Sequence, residues 1–213
     1  MIEPNIQRWL DRTEPGDWNE GTRAYGRYHR IMRALAAEYD FRLDRVIAAF
    51  VSLSPNTDYY SNLRSLVSVL AGIRDGREFD AIQVSTYRHN LHRAMAYALG
   101  DKDFLVETKG MKIRSFYHNV LDPNDPAHVT IDGHMVAIWR GQNLTMKEAI
   151  YKGPKEYYEI VVALKRAALV IGISPCQLQG VLWFARKRIL NIKHESQLNL
   201  WATDEPSMLE PYA

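Results

Sequence analysis

The chain has 213 residues, 46% of them apolar and 24% charged, a length for one domain or one domain with a small extension. Its 27 basic residues against 25 acidic ones leave a net charge of +2, which excludes a histone-like or tail-driven binder of polyanions but not a folded enzyme with a local basic face. The single cysteine, Cys176, excludes an internal disulfide and a cysteine-ligated zinc or iron–sulfur centre. No positively charged, then apolar, leader opens the sequence and no apolar run reaches about 18 residues, so the expectation is a soluble, cytoplasmic protein without a membrane partner.

The dominant periodicity is helical. Residues 27–39 place Tyr28, Ile31, Met32, Leu35 and Tyr39 on one face at three- and four-residue steps. Residues 42–52 predict a second, more apolar helix, followed by a Ser54-Pro55-Asn56 break. Residues 57–70 carry Tyr59, Leu63, Leu66, Val67 and Leu70 on one stripe, and 85–99 form a fourth helix stopped by Gly100. A short helix over 103–108 precedes Gly110, which opens a helix over 111–121. The run 122–126, rich in Asp and Pro, is a turn, and 129–131 is a brief extended piece. Asp132 then caps a helix through Trp139, and 148–151 supply one more turn. Residues 157–171 are strongly amphipathic, and Ser174 caps a last helix running to about Leu190. The pattern predicts an all-α fold of about nine or ten helices, a single helical domain over 1–195 and a polar C-terminal tail over 196–213.

Three polar segments carry candidate chemistry: the corner 53–60, the glycine-hinged turn Lys109-Gly110-Met111-Lys112, and the segment 129–135 in which Asp132 follows an apolar run. Each also has an ordinary structural role. Residues 54–57 can cap a helix, Gly110 can be the left-handed residue between two helices, and Asp132 can be a plain N-cap.

Their order and spacing resemble the helix–hairpin–helix (HhH-GPD) DNA glycosylases, the superfamily of endonuclease III and the 8-oxoguanine glycosylases. That family has a Leu-Ser-Gln-Gln-like corner, a Leu-Pro-Gly-Val-Gly-x-Lys hairpin and a Val-Asp-x-His segment about twenty residues past the lysine. The corresponding stretches are Leu53-Ser54-Pro55-Asn56, the segment from Val106 to Lys112, and Ile131-Asp132-Gly133-His134, with Lys112 placed 20 positions before Asp132. The resemblance spans roughly 46–139. The hairpin departs from the family in having Glu107 and Thr108 for its first Pro and Gly, and Glu107 repels a phosphate placed on its own side. The absence of a cysteine cluster sets the chain apart from the iron–sulfur branch, so no cofactor is expected and no metal ligand is assigned.

The resemblance implies cleavage of the N-glycosidic bond of a flipped base in double- or single-stranded DNA. Breaking that bond builds positive charge on the sugar, which a carboxylate stabilises, and Asp132 at a helix N-terminus takes this role. Lys112 matches the lysine that attacks the sugar as an amine in members with lyase activity, a role that requires a lowered pKa. Asn56 and Tyr60 are the candidates for the base pocket. Phosphate contacts are assigned to Lys109, Gly110 and Arg114 at the hairpin and to His134. Arg186, Lys187 and Arg188 form a second basic cluster within the segment 151–195, which holds eight basic residues against three acidic ones. A thymine pyrophosphorylase-like transferase, attaching an amine to a modified pyrimidine in phage-type DNA, is the alternative reading. A non-catalytic DNA- or protein-binding helical module is the third.

Overall fold

The computed structural model describes residues 1–55 and 57–192. Among them are ten α-helices, one short 3-10 turn and no strand, so the fold is all-α. No helix among the described residues is long and apolar enough to cross a membrane. The helices are α1 (Pro4–Leu10), α2 (Pro15–Glu38), α3 (Leu43–Leu53), α4 (Tyr59–Arg74), α5 (Arg88–Leu99), α6 (Phe104–Glu107), α7 (Met111–Leu121), α8 (Gly133–Arg140), α9 (Pro154–Ile171) and α10 (Pro175–Ile189). Where the sequence suggests one domain over 1–195, the described residues cluster into two compact units, one of 1–29 with 114–192 and one of 30–113. The division falls inside α2 and α7.

In the unit of 30–113, α3 is the central helix. Every residue from Val46 to Leu53 is buried, which a helix achieves only when apolar side chains surround it. It packs chiefly on α5 and also on α4, and each fully buried Val, Leu or Phe there contributes about 1.5–3 kcal/mol relative to exposure. The corner after α3 is capped by Asp58, whose Oδ1 accepts from the N–H groups of Tyr60 (2.9 Å) and Ser61 (3.0 Å). The helix therefore begins at Tyr59, two residues later than the sequence pattern places it.

In the unit of 1–29 and 114–192, α10 is the buried element, packed by α9, α8 and α1. Its start is a capping box: the Gln177 N–H donates to Ser174 Oγ, and the Ser174 N–H donates to Gln177 Oε1 at 2.9 Å. One crossing fixes how α2 meets α10. A Cβ on Gly21 would lie 2.2 Å from the Val181 amide nitrogen, and one on Gly180 would lie 2.4 Å from the Gly21 carbonyl oxygen. The two backbones touch there, and only glycine on both sides permits it. Residues 129–131 form no strand; they are a buried connector whose Thr130 hydroxyl donates to Asn119 Oδ1 at 2.9 Å.

Candidate functional site

Asp132 lies at the end of that connector, immediately before α8. Its extended backbone (φ −102°, ψ −177°) is the N-cap conformation, and Oδ1 accepts from the Met135 N–H at 3.0 Å. Among the described residues the second oxygen, Oδ2, takes no hydrogen bond. Asp132 is half-buried, and one of its carboxylate oxygens caps the helix.

Three side chains of the same unit feel the charge of Asp132. Burial holds the Tyr25 phenol well above its usual range, and the negative charge of Asp132 adds to this. Burial lowers the pKa of Arg186, and Asp132 opposes that shift. Burial pushes Lys187 down to about 8, again against the pull of Asp132. Two elements thus build the site: the α8 cap supplies the carboxylate, and the last turns of α10 supply the cations.

The packing around these groups is specific. Arg186 is 1% exposed; its Nη1 donates to His134 Nδ1 at 2.9 Å and its Nη2 to the Leu144 carbonyl at 2.9 Å. A guanidinium has only donors, so Nδ1 of His134 accepts and the ring proton sits on Nε2. The His134 ring meets Trp183 edge to face at 5.7 Å, and Lys187 Nζ lies 3.8 Å from the centre of the Trp183 ring. On the Tyr25 side, Tyr25, Tyr28 and Phe116 form a T-shaped trio with centroids 5.8–6.4 Å apart. Tyr25 is buried and bonded to Gln179 Oε1 at 2.9 Å, whereas Tyr28 and Phe116 are half-buried.

The sequence-derived candidates therefore separate. Asp132, His134, Arg186 and Lys187 converge in one unit, but two of them have other posts than phosphate contact. His134, 8% exposed, is the buried partner of Arg186, and Arg186 itself has no surface to offer DNA. Arg188 is committed to Asp17 (2.7 Å), Glu14 (2.8 Å) and the Arg12 carbonyl (2.8 Å). The 20-residue interval from Lys112 to Asp132 runs from one unit to the other.

In the unit of 30–113, the hairpin borders a groove of about 710 Å³ lined by Arg93, Lys102, Glu107, Lys109 and Gly110 among others. Lys109 Nζ donates to the Val106 carbonyl at 2.6 Å, and Glu107 faces Lys102 at 3.6 Å, which offsets the repulsion its charge offers a phosphate. Gly110 is not the left-handed residue its position suggests: its φ is not positive, and a Cβ there would meet nothing within 4 Å. Lys112 is exposed in the first turn of α7, whereas an amine nucleophile needs apolar surroundings. Arg114 is half-buried on α7 in the other unit. Tyr60 is 6% exposed, its ring packed against Tyr59 at 5.4 Å, so it belongs to the unit's interior and not to an open pocket. Asn56 lies outside the described residues.

Sequence reasoning missed Tyr25 and Trp183. Tyr25 falls in a stretch whose glycines and polar residues hide the helix, and the only signal for Trp183 is its four-residue spacing from Lys187.

The chain belongs to a family of unknown function (DUF7178), which matches residues 1–190. No curated protein and no solved structure matches it.

Proposed function

We propose that the chain is a DNA base-acting enzyme of DNA glycosylase type, with Asp132 as the carboxylate that serves the breaking N-glycosidic bond. The observation that carries this reading is the division of labour on Asp132: Oδ1 holds the start of α8, and Oδ2 is left for a ligand. A carboxylate oxygen beside the anomeric carbon stabilises the positive charge that develops there, or accepts a proton from the attacking water. A flipped base lies against flat aromatic faces, and the edge-to-face cluster of Tyr25, Tyr28 and Phe116, in which Tyr25 feels the charge of Asp132, is the aromatic group assigned to it. Within the unit of 30–113, taken by itself, Lys109 and Gly110 at the hairpin are the candidates for phosphate contact, since the absence of a Cβ on Gly110 allows close approach of an anion.

The test is a panel of oligonucleotides carrying modified and damaged bases, together with one carrying a pyrophosphorylated 5-hydroxymethylpyrimidine, read by mass spectrometry. Free base released from at least one substrate is the expected result. A heavier nucleoside without free base assigns the chain to base-modifying transfer instead. Binding without any product makes it a binding module.

A further inference from the structure

Helix α9 buries one face and leaves the opposite one uncovered. Tyr157, Ile160, Leu164, Ala167 and Ala168 are buried. On the other side Tyr158, Val162, Leu169 and Val170 are each more than half exposed, and Leu169 is 81% exposed. Tyr158, Val162 and Leu169 recur at steps of four and seven residues, so they form one stripe along about three turns. Single apolar side chains on a surface are ordinary, whereas a continuous row of large ones marks a place that another surface covers. The stripe borders a groove of about 660 Å³ to which Ile2, Pro4 and Trp139 of the same unit also contribute. Charge lies along one edge of it. Glu159 and Arg166 are both exposed and stand two turns apart, on the same side of the helix. Among the described residues, neither side chain makes an ion pair or a hydrogen bond.

We propose that this face of α9 is where two copies of the chain meet, as an antiparallel helix pair about a two-fold axis passing between Val162 and Ala163. The pairing follows from the order of the residues. Such an axis sets each position opposite the one equally far beyond it, and on the same edge of the pair. Glu159 of one copy then faces Arg166 of the second copy, and symmetry makes that ion pair twice. Val162 meets its own counterpart beside Ala163, whose small side chain lets the two helices come close. Tyr158 falls between Lys165 and Leu169 of the second copy, a knob entering a hole, and the stem of Lys155 lies across Leu169. The stripe is therefore complementary to itself in apolar content and in sign. Other occupants match it less well. A nucleic acid would bring phosphates to the Glu159 carboxylate and to the apolar row, and a lipid surface would have to desolvate that carboxylate. This pairing is independent of the base-acting reading, and neither stands or falls with the other.

The experiment is sedimentation velocity on the full chain over a dilution series reaching about 0.1 mM, where a dimer with a micromolar Kd is almost wholly formed. The expected result is a species of twice the mass of one chain. Val162→Glu, a change at an exposed position, should weaken self-association by about 100-fold or more. Glu159→Arg and Arg166→Glu each set like charges opposite one another and should weaken it by about tenfold. The double variant exchanges the two signs and should recover the association, a result that only direct pairing of these positions produces. Val162→Cys should join two copies by a disulfide under mild oxidation, while Cys at exposed position 147 (Lys147→Cys) should not; the native Cys176 is buried and takes no part. Circular dichroism checks that each variant keeps its helices, and if Val162→Glu fails to fold the charge exchange decides. A wild-type chain that stays monomeric throughout the series overturns the inference. So does a dimer indifferent to Val162→Glu, and a double variant that fails to recover association contradicts the antiparallel pairing.

Discussion

A run such as Arg186-Lys187-Arg188 reads in sequence as one basic patch, yet consecutive residues on a helix point about 100° apart and cannot share a face. The structure spreads them accordingly: Arg186 into the interior, Lys187 over Trp183, and Arg188 to Asp17 and Glu14. Asp132 was legible because an acid before a helical stretch is a cap signal that survives in any context. The burial of Arg186 was not legible, because it depends on His134 and Leu144, which lie 52 and 42 positions away. Cys176 is the residue-scale counterpart to Lys187. Burial pushes its thiol up to about 11, and its Sγ lies 3.0 Å from the Pro123 carbonyl, so the thiolate that reacts is scarce. The folded chain is predicted to react slowly with an aromatic disulfide reagent at about pH 8 and rapidly once unfolded, as followed by absorbance. Prompt reaction of the native thiol contradicts this.

At the scale of elements, helices with strong apolar spacing and sharp signals were read closely, including α7 over 111–121 and α10 from Pro175, where Ser174 and Gln177 write the cap out in sequence. The element missed altogether was α1, a seven-residue helix with only Ile6 and Trp9 buried, too short for a periodicity to show. The first half of α2 was missed for a different reason. Its Pro15, Gly16, Gly21 and Gly26 have low helix propensity, and tertiary contact overrides that weakness. The contact is the backbone crossing of Gly21 and Gly180, for which no local pattern exists. Gly180→Ala is therefore predicted to destabilise the chain by about 3 kcal/mol or more, since backbone cannot shift aside as a flexible side chain does. Denaturant unfolding measures it, and a loss below about 0.5 kcal/mol would show that the crossing relaxes freely.

For the molecule as a whole, a net charge of +2 fits a chain that spends its cations on structure: Arg140 on Glu156, Arg188 on Asp17 and Glu14, and Arg186 in the interior. Binding to DNA, on the proposed reading, is then modest and salt-sensitive. The stability of the fold should depend on pH through His118 and His128, whose rings stack at 3.9 Å with 7° between planes. Burial lowers both below the usual histidine value of 6.5; the charge of His128 adds to this for His118, and Asp125 opposes it for both. With folded pKa values below the unfolded ones, the unfolded chain binds protons first on acidification. Stability contributed by the neutral pair is present above about pH 6.5 and falls as the pH drops toward the folded values. The thermal midpoint is predicted to fall between about pH 7.5 and about pH 5, and to fall less in a His118→Gln, His128→Gln double variant. An equal fall in the double variant assigns the effect elsewhere.

The proposed chemistry centres on Asp132, whose Oδ1 caps α8. The most direct measurement is the single-turnover rate of base release by Asp132→Asn on a substrate that the wild-type chain cleaves, with DNA affinity measured alongside. Asparagine keeps an oxygen for the Met135 N–H and so keeps the cap, but removes the charge. The predicted result is a rate lower by about 100-fold or more with affinity little changed. An undiminished rate would show that Asp132 only caps α8 and would remove it from the chemistry.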